Sequence, residues 1–326
     1  MADKDRPLVI VENLRTHFPI KTGVFKKTVA YVRAVDGISL TIRKGETLGL
    51  VGETGCGKTT LGRSILYLQK PSSGKVYFNG IDLSGLSQAK LRSKRQEMQM
   101  IFENPYSSID PGMKVREIIA EPLQIHNLIN SDELEDRARE LLVLVGLDAD
   151  MVKRYPSELS GGQRQRVELA RALALQPNFI VCDNPLAHLD VSMQAQLIQM
   201  LIWLRNWRQI TYLFIAHDLV LVRRISHRVA VMYLGQFVEM AETDELFDNP
   251  RHPYTQALIS AIPVPDPAEH DRKVLLLPGE PPSPVNPPSG CRFHPRCNVA
   301  IKKCAQTVPD LREIDHAGHK VACHLV

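Results

Sequence analysis

The run GETGCGKTT, Gly52 to Thr60, carries the densest chemistry in the chain. Gly52, Gly55 and Gly57 let the backbone curl closely, Glu53, Thr54 and Cys56 fill the positions between them, and Lys58, Thr59 and Thr60 add an ammonium and two hydroxyls. The apolar run ETLGLVG precedes it and KTTLGRSILYL follows at helical spacing until Pro71. This strand, loop and helix order turns backbone N–H groups and a helix N-terminus toward phosphate oxygens. In such a loop Lys58 reaches the β and γ phosphates of a nucleotide and the Thr59 hydroxyl ligates Mg²⁺. A second apolar run, NFIVCD, ends in Asp183, a carboxylate placed to serve the same metal. The next residue is Asn184, where a second carboxylate is expected to polarise the attacking water. An amide orients water but accepts no proton at neutral pH, and loss of a positioned base costs about 10²- to 10⁴-fold in rate.

The elements around these residues read as alternating strands and helices. Leu8 to Leu50 alternates apolar and polar residues as short strands do, with KTGVFKKTVAYV as a hairpin or surface loop. Residues 85–157 change to helical spacing in KVREIIAEPLQI and SDELEDRARELLVLVGL, with Asn130 or Ser131 as N-caps. Strands return at NFIVCD and TYLFIAHD with helices between them, which predicts a mostly parallel sheet. Beyond Asn249 the text becomes Pro-rich and ends in a cysteine tail expected to be extended and irregular. The predicted organisation is 1–84, a core part with the phosphate loop; 85–157, a helical subdomain; 158–248, the rest of the core; and 249–326, the Pro- and Cys-rich extension.

Length and composition set outer limits. The 326 residues bury a full core, and 44% hydrophobic with 23% charged residues is ordinary for a globular protein. A net charge of +4 spread along the chain gives no nucleic-acid footprint. No signal-peptide pattern and no apolar run of about 18 residues are seen, so a cytoplasmic chain is expected. Cys291, Cys297, Cys304 and Cys323 stand apart by five, six and eighteen residues, looser than zinc knuckles and unlike the ferredoxin run. In a reducing compartment such crowding favours metal or cluster ligation over disulfides, with zinc or free thiols as readings of the residues alone and His294, His316, His319 and His324 as substitute ligands. Cys56 and Cys182 read as small packing residues.

YPSELSGGQRQRVELARALALQP places Ser160, Gly161, Gly162 and Gln163 at the start of a helix that Pro177 ends, after the phosphate loop and before the strand closing in Asp183. That order resembles the ATP-binding cassette of ABC transporters. The tail HPYTQAL, LPGEPPSPVNPPSGCRFHPRC and GHKVACHL resembles the oligopeptide/dipeptide and nickel importer branch, and within it the F-type ATPase subunit. The resemblance implies an α/β P-loop NTPase fold, with a mostly parallel core, an antiparallel N-terminal part, a helical subdomain and a Cys-rich C-terminal extension. It implies an ATPase using ATP and Mg²⁺ on the cytoplasmic face of the membrane, paired as a heterodimer with a D-type subunit, and served by two permease subunits and an extracytoplasmic substrate-binding protein. Two cassettes then sandwich two ATP molecules, each between one phosphate loop and the other cassette's Ser160 to Gln163 signature. Leu189 and Asp190 match the interface loop, His217 matches the switch histidine at the γ-phosphate, and Phe18 or Tyr31 stacks on adenine. The tail cysteines match a [4Fe–4S] site, with zinc as alternative. Two positions depart from the pattern: Glu103 replaces the Gln that touches Mg²⁺ and water, and Asn184 replaces the catalytic Glu. The expectation is a site that binds ATP and hydrolyses it weakly, while the intact signature completes an active site on the partner; migration of the carboxylate to Glu103 is the competing expectation.

Overall fold

The computed structural model describes residues 7–23, 26–104, 108–187, 189–263, 274–315 and 318–326. Its strands are β1 (Pro7–Thr22), β2 (Lys27–Arg43), β3 (Thr47–Val51), β4 (Ser73–Phe78), β5 (Ile81–Asp82) and β6 (Met98–Ile101). Then follow β7 (Phe179–Asp183), β8 (Thr211–Ile215), β9 (Arg228–Tyr233), β10 (Gln236–Glu242), β11 (Arg312–Glu313) and β12 (Lys320–Val321). The chain divides into two compact units, described separately.

The first unit holds Arg43–Glu46 and Gly85–Ile215. β6, β7 and β8 pair in parallel, with Ile101 opposite Cys182 and Asp183 opposite Ile215. Every residue of FIVCD and TYLFI is buried, which is why both read as unbroken apolar runs. The helices Val115–Ile125, Leu134–Leu144 and Gly161–Leu173 pack on one another through Ile118, Ile119, Leu141, Leu142 and Val167, all at most 2% exposed. Asn130 caps only a single 3₁₀ turn, Ser131–Glu133, and makes no side-chain capping bond, so the α-helix starts later, at Leu134.

The second unit holds Pro7–Ile42, Thr47–Ser84 and the chain from Ala216 onward. One sheet has the order β2-β1-β4-β5, in which Val9, Val11 and Leu14 of β1 turn inward. The hairpin region is smaller than the sequence suggests, because Lys27 to Val32 already belong to β2. In the other sheet β3 runs parallel to β9, and β9, β10, β12 and β11 follow as antiparallel neighbours. Leu234 and Gly235, at φ 43° and 82°, form the two-residue turn between β9 and β10 that suits the strand twist.

The C-terminal tail is more ordered than its composition predicts. β12 docks on β10 with Lys320 opposite Met240. Phe293, 1% exposed, lies 5.3 Å from the Tyr233 ring, 5.4 Å from Tyr254 and 5.6 Å from His252, so the tail brings its own aromatic anchor. Among the described residues no helix is long and apolar enough to cross a membrane. Phe293→Ala removes that anchor and is expected to cost about 3 to 5 kcal/mol, read as a lower urea midpoint.

Candidate functional site

In the second unit, buried β3 runs directly into Gly52, whose φ of 147° no side chain favours and where a Cβ would sit 2.1 Å from the Met232 carbonyl. Gly57 is equally constrained, at φ 110° with a Cβ position 1.9 Å from the Ala34 carbonyl. Gly57 caps helix Lys58–Ile65 without a side-chain bond, which leaves the first helical N–H groups directed at the loop. The Lys58 ammonium, 5% exposed, donates to the Gly52 carbonyl at 2.7 Å and the Glu53 carbonyl at 2.9 Å, so the loop is wound around a positive charge. Thr59 and Thr60 follow, both half-buried. Burial pushes the Cys56 thiol up despite Lys58 beside it, as fits a packing residue.

The loop is braced from the C-terminal region, a feature the sequence pattern does not announce. The Glu53 N–H donates to the Tyr254 hydroxyl at 2.8 Å, and the Glu53 carboxylate takes both oxygens to Arg296 at 2.8 and 3.0 Å. Burial raises Tyr254 well above the usual phenol range, which keeps it neutral and hydrogen-bonding. A cavity of about 520 Å³ lies between Glu53–Cys56 and Glu280–Pro284. Phe18 and Tyr31 present rings 37% and 51% exposed on β1 and β2. His217 is exposed, and Asp218 after it caps helix Leu219–Ile225 by accepting from Val220 N–H at 2.8 Å.

In the first unit, parallel pairing carries the ends of β6 and β7 forward together, so the residues just past them meet. Asp183 is 3% exposed at the end of β7. Asn184 turns at φ 48°, a left-handed conformation that Asn tolerates better than most residues, and its N–H donates to the Ile215 carbonyl at 2.8 Å. Its side-chain amide donates to a Glu103 carboxylate oxygen at 2.8 Å. The two residues that depart from the familiar pattern therefore touch.

The segment bearing Glu103 is fixed from beneath by Glu168, which the sequence reading missed. Glu168, 2% exposed on helix Gly161–Leu173, accepts from Phe102 N–H at 3.0 Å, Ser108 hydroxyl at 2.9 Å and the Gln165 amide at 3.3 Å. The one signal was an acid inside VELA, on the apolar face of a helix. At the start of that helix Ser160 accepts from Gln163 N–H at 3.3 Å, while Gln163 accepts from Ser160 N–H at 2.9 Å, a closed capping box. At Gly162 a Cβ would lie 2.3 Å from the methyl end of the flexible Met193 side chain, so the two pack closely, and Met193 belongs to helix Val191–Arg208 capped by Asp190 at 2.9 Å. The signature glycine thus packs against the helix that Asp190 caps. Tyr106 and Ser107, which open the segment YSSIDPGMKVREIIAEPL after Glu103, lie outside the described residues.

The four tail cysteines belong to one unit, and Cys291 N–H donates to the Cys304 carbonyl at 2.7 Å. Burial, reinforced by the neighbouring thiols, pushes Cys291 up to about 11 and also raises Cys297 and Cys323. Among the described residues they do not form a group whose ligand atoms lie within 4.8 Å of one another, as a zinc ion needs; Glu245, Asp315 and His319 do.

Residues 35–187 match the family described as ABC transporter, and residues 238–304 match the oligopeptide/dipeptide transporter C-terminal region. The chain is 50% identical over 318 residues to the probable peptide ABC transporter ATP-binding protein y4tS of Sinorhizobium fredii, covering 98% of this chain and 90% of that one. It is 48% identical over 326 residues to the oligopeptide transport ATP-binding protein AppF of Bacillus subtilis, covering 99% of each. It is 46% identical over 327 residues to OppF of Salmonella typhimurium, covering 99% and 97%. A dimeric ATP-binding cassette bound to ADP and Pi in a post-hydrolysis state superposes with a TM-score of 0.63 at 27% identity, over 72% of this chain and 98% of that one. Two expectations are corrected. These relatives' names carry no iron–sulfur centre, and among the described residues the cysteines do not bring three ligand atoms within 4.8 Å of one another; the [4Fe–4S] cluster on Cys291, Cys297, Cys304 and Cys323 is not supported, nor is zinc there. The heterodimer with a D-type subunit is likewise unsupported, since the family matches name no second kind of cassette and the solved neighbour is a dimer of one cassette.

Burial pushes Glu168 up to about 7, against about 4.5 in the unfolded chain. The folded state therefore holds the extra proton between those values, and stability falls as pH rises from about 4.5 through about 7, by up to about 3 kcal/mol. Glu168→Gln is expected to flatten that window in urea titrations run at successive pH values.

Proposed function

Because the chain belongs to the ABC transporter ATP-binding proteins, in their oligopeptide/dipeptide branch, we propose that it is the ATPase subunit powering import of oligopeptides or dipeptides. It sits peripherally on the cytoplasmic face of the membrane, against two permease subunits fed by an extracytoplasmic substrate-binding protein. Relatives named for peptide transport support this cargo over nickel or oligosaccharides.

In this reading the loop Gly52–Thr60 holds the triphosphate, with Lys58 neutralising the β and γ oxygens and Phe18 or Tyr31 stacking on the adenine. Thr59 and Asp183 are oxygen donors that suit Mg²⁺, which when bound offsets charge on the transferring phosphoryl group. Ser160 to Gln163 serve the γ-phosphate of a second cassette through their helix N-terminus, and His217 contacts the γ-phosphate at the chain's own loop. Water attacks the γ-phosphorus, its proton passes to a carboxylate, and the bond to the ADP oxygen breaks.

The observation that carries the proposal for that carboxylate is the 2.8 Å hydrogen bond from Asn184 to Glu103. The familiar amide and acid are exchanged between two loops and still meet, so Glu103 accepts the proton while Asn184 orients it. A second reading keeps the chain's own site as a weak hydrolyser that chiefly binds ATP, with its signature completing another cassette's site; the closed capping box at Ser160 favours an intact signature. ATP turnover by the reconstituted transporter separates them. Glu103→Gln is expected to lower it about 10²-fold or more. The exchanged pair, Glu103→Gln with Asn184→Glu, is expected to recover it, because it restores the same two groups in swapped places. Unchanged turnover in Glu103→Gln would favour the weak-site reading.

A further inference from the structure

His319 is fully buried, and its two ring nitrogens face different surroundings. Nε2 lies 2.7 Å from an oxygen of Glu239, itself fully buried. That carboxylate also accepts from Arg251 N–H at 2.7 Å and His252 N–H at 2.9 Å, so it acts wholly as an acceptor and Nε2 is the donor. In the neutral ring Nδ1 is then left with its lone pair. Among the described residues Nδ1 has no hydrogen-bond partner and points at carboxylates: a Glu245 oxygen lies 3.4 Å away, and the ligand atoms of Glu245, Asp315 and His319 all fall within 4.8 Å of one another. Glu245 is partly exposed and also accepts from Asn249 at 3.1 Å; Asp315 is exposed and accepts from the His319 N–H at 3.2 Å.

A lone pair aimed at anionic oxygens is repulsive unless a cation stands between them. We propose that Glu245, Asp315 and the Nδ1 of His319 form a binding site for a divalent metal ion of the zinc type. One imidazole and two carboxylates with an open fourth position suit that ion, and Glu239 behind Nε2 is the outer carboxylate that fixes the tautomer of a metal-bound histidine. The site has a structural consequence. Glu245 lies on helix Thr243–Asp248, after β10, whereas Asp315 and His319 lie between β11 and β12 in the chain. The ion therefore fastens the last segment of the tail to the sheet edge on which β12 pairs, a role separate from nucleotide hydrolysis and from the cysteines.

The test is zinc binding by the chelator-stripped full-length protein, followed by calorimetry and by X-ray absorption at the zinc edge. One zinc per chain is expected, with a first shell of nitrogen and oxygen at about 2.0 to 2.2 Å and no sulfur at about 2.3 Å. Glu245→Gln and Asp315→Asn, both away from the core, are expected to weaken binding at least tenfold and to abolish the rise in unfolding temperature that zinc gives the unaltered protein. A sulfur shell would assign the ion to the cysteines and overturn the proposal. So would absence of binding, which would mean that Nδ1 carries a proton and the cation between the carboxylates is the imidazolium itself. Nitrogen and oxygen ligation unaffected by either substitution would overturn it as well.

Discussion

The geometry of the first unit hangs on one buried carboxylate. Glu168 lies under the loop after β6 and binds it at two points, Phe102 and Ser108, on either side of Glu103. Because Glu168 belongs to the helix that begins at Ser160, the carboxylate links the loop carrying Glu103 to the element presenting the signature glycines. Arg171, one turn on, adds bonds to the Ser108 carbonyl at 2.7 Å and to Glu121 at 2.6 Å, which carries the linkage into helix Val115–Ile125. A buried acid in an apolar setting is costly to ionise, yet each of its donors would be left unpaired by removing it. Movement of the signature helix therefore cannot leave the Glu103 loop behind without breaking these bonds.

The second unit solves a related problem by other means. A loop whose backbone must wrap phosphates has few side chains of its own to stiffen it, and here the stiffness comes from distant sequence. Tyr254 receives the Glu53 N–H, Arg296 clamps the Glu53 carboxylate, and the Gly235 N–H holds the Cys56 carbonyl at 2.8 Å. Deeper in, Asp36 is pushed up by burial but held below the usual carboxylate range by Arg292 and His17, a second tie between tail and core. The region after Asn249 is therefore part of the nucleotide-binding unit's construction.

These ties mark where sequence reasoning stops. The phosphate loop, Asp183 and Ser160–Gln163 were legible because each is a local pattern with a fixed relation to a strand end or helix start. The departures at Glu103 and Asn184 were equally legible as residue types. Their contact was not, since it depends on the parallel register that sets Ile101 beside Cys182. Glu168 looked like one more charge in a helix, and Tyr254 and Arg296 lie some two hundred residues or more from Glu53 in the chain. The Pro-rich stretch from Val274 to Phe293 is irregular, as its composition indicates; what composition does not indicate is that Phe293 and Val321 supply buried anchors and that β12 pairs on the sheet. The cysteines drew attention by spacing and resemblance, while the better-formed cluster of ligand atoms, at Glu245, Asp315 and His319, has no spacing signature because its carboxylates come from separate elements.

In the proposed mechanism this chain's own site hydrolyses ATP with Glu103 in place of the missing acid at Asn184. The most direct measurement uses azido-ATP labelled at its γ-phosphate, cross-linked by light to the assembled transporter before and after one turnover, with this chain then isolated. Loss of the γ-label from this chain within that turnover is the predicted result. Label that persists on this chain while phosphate is released elsewhere in the complex would contradict it.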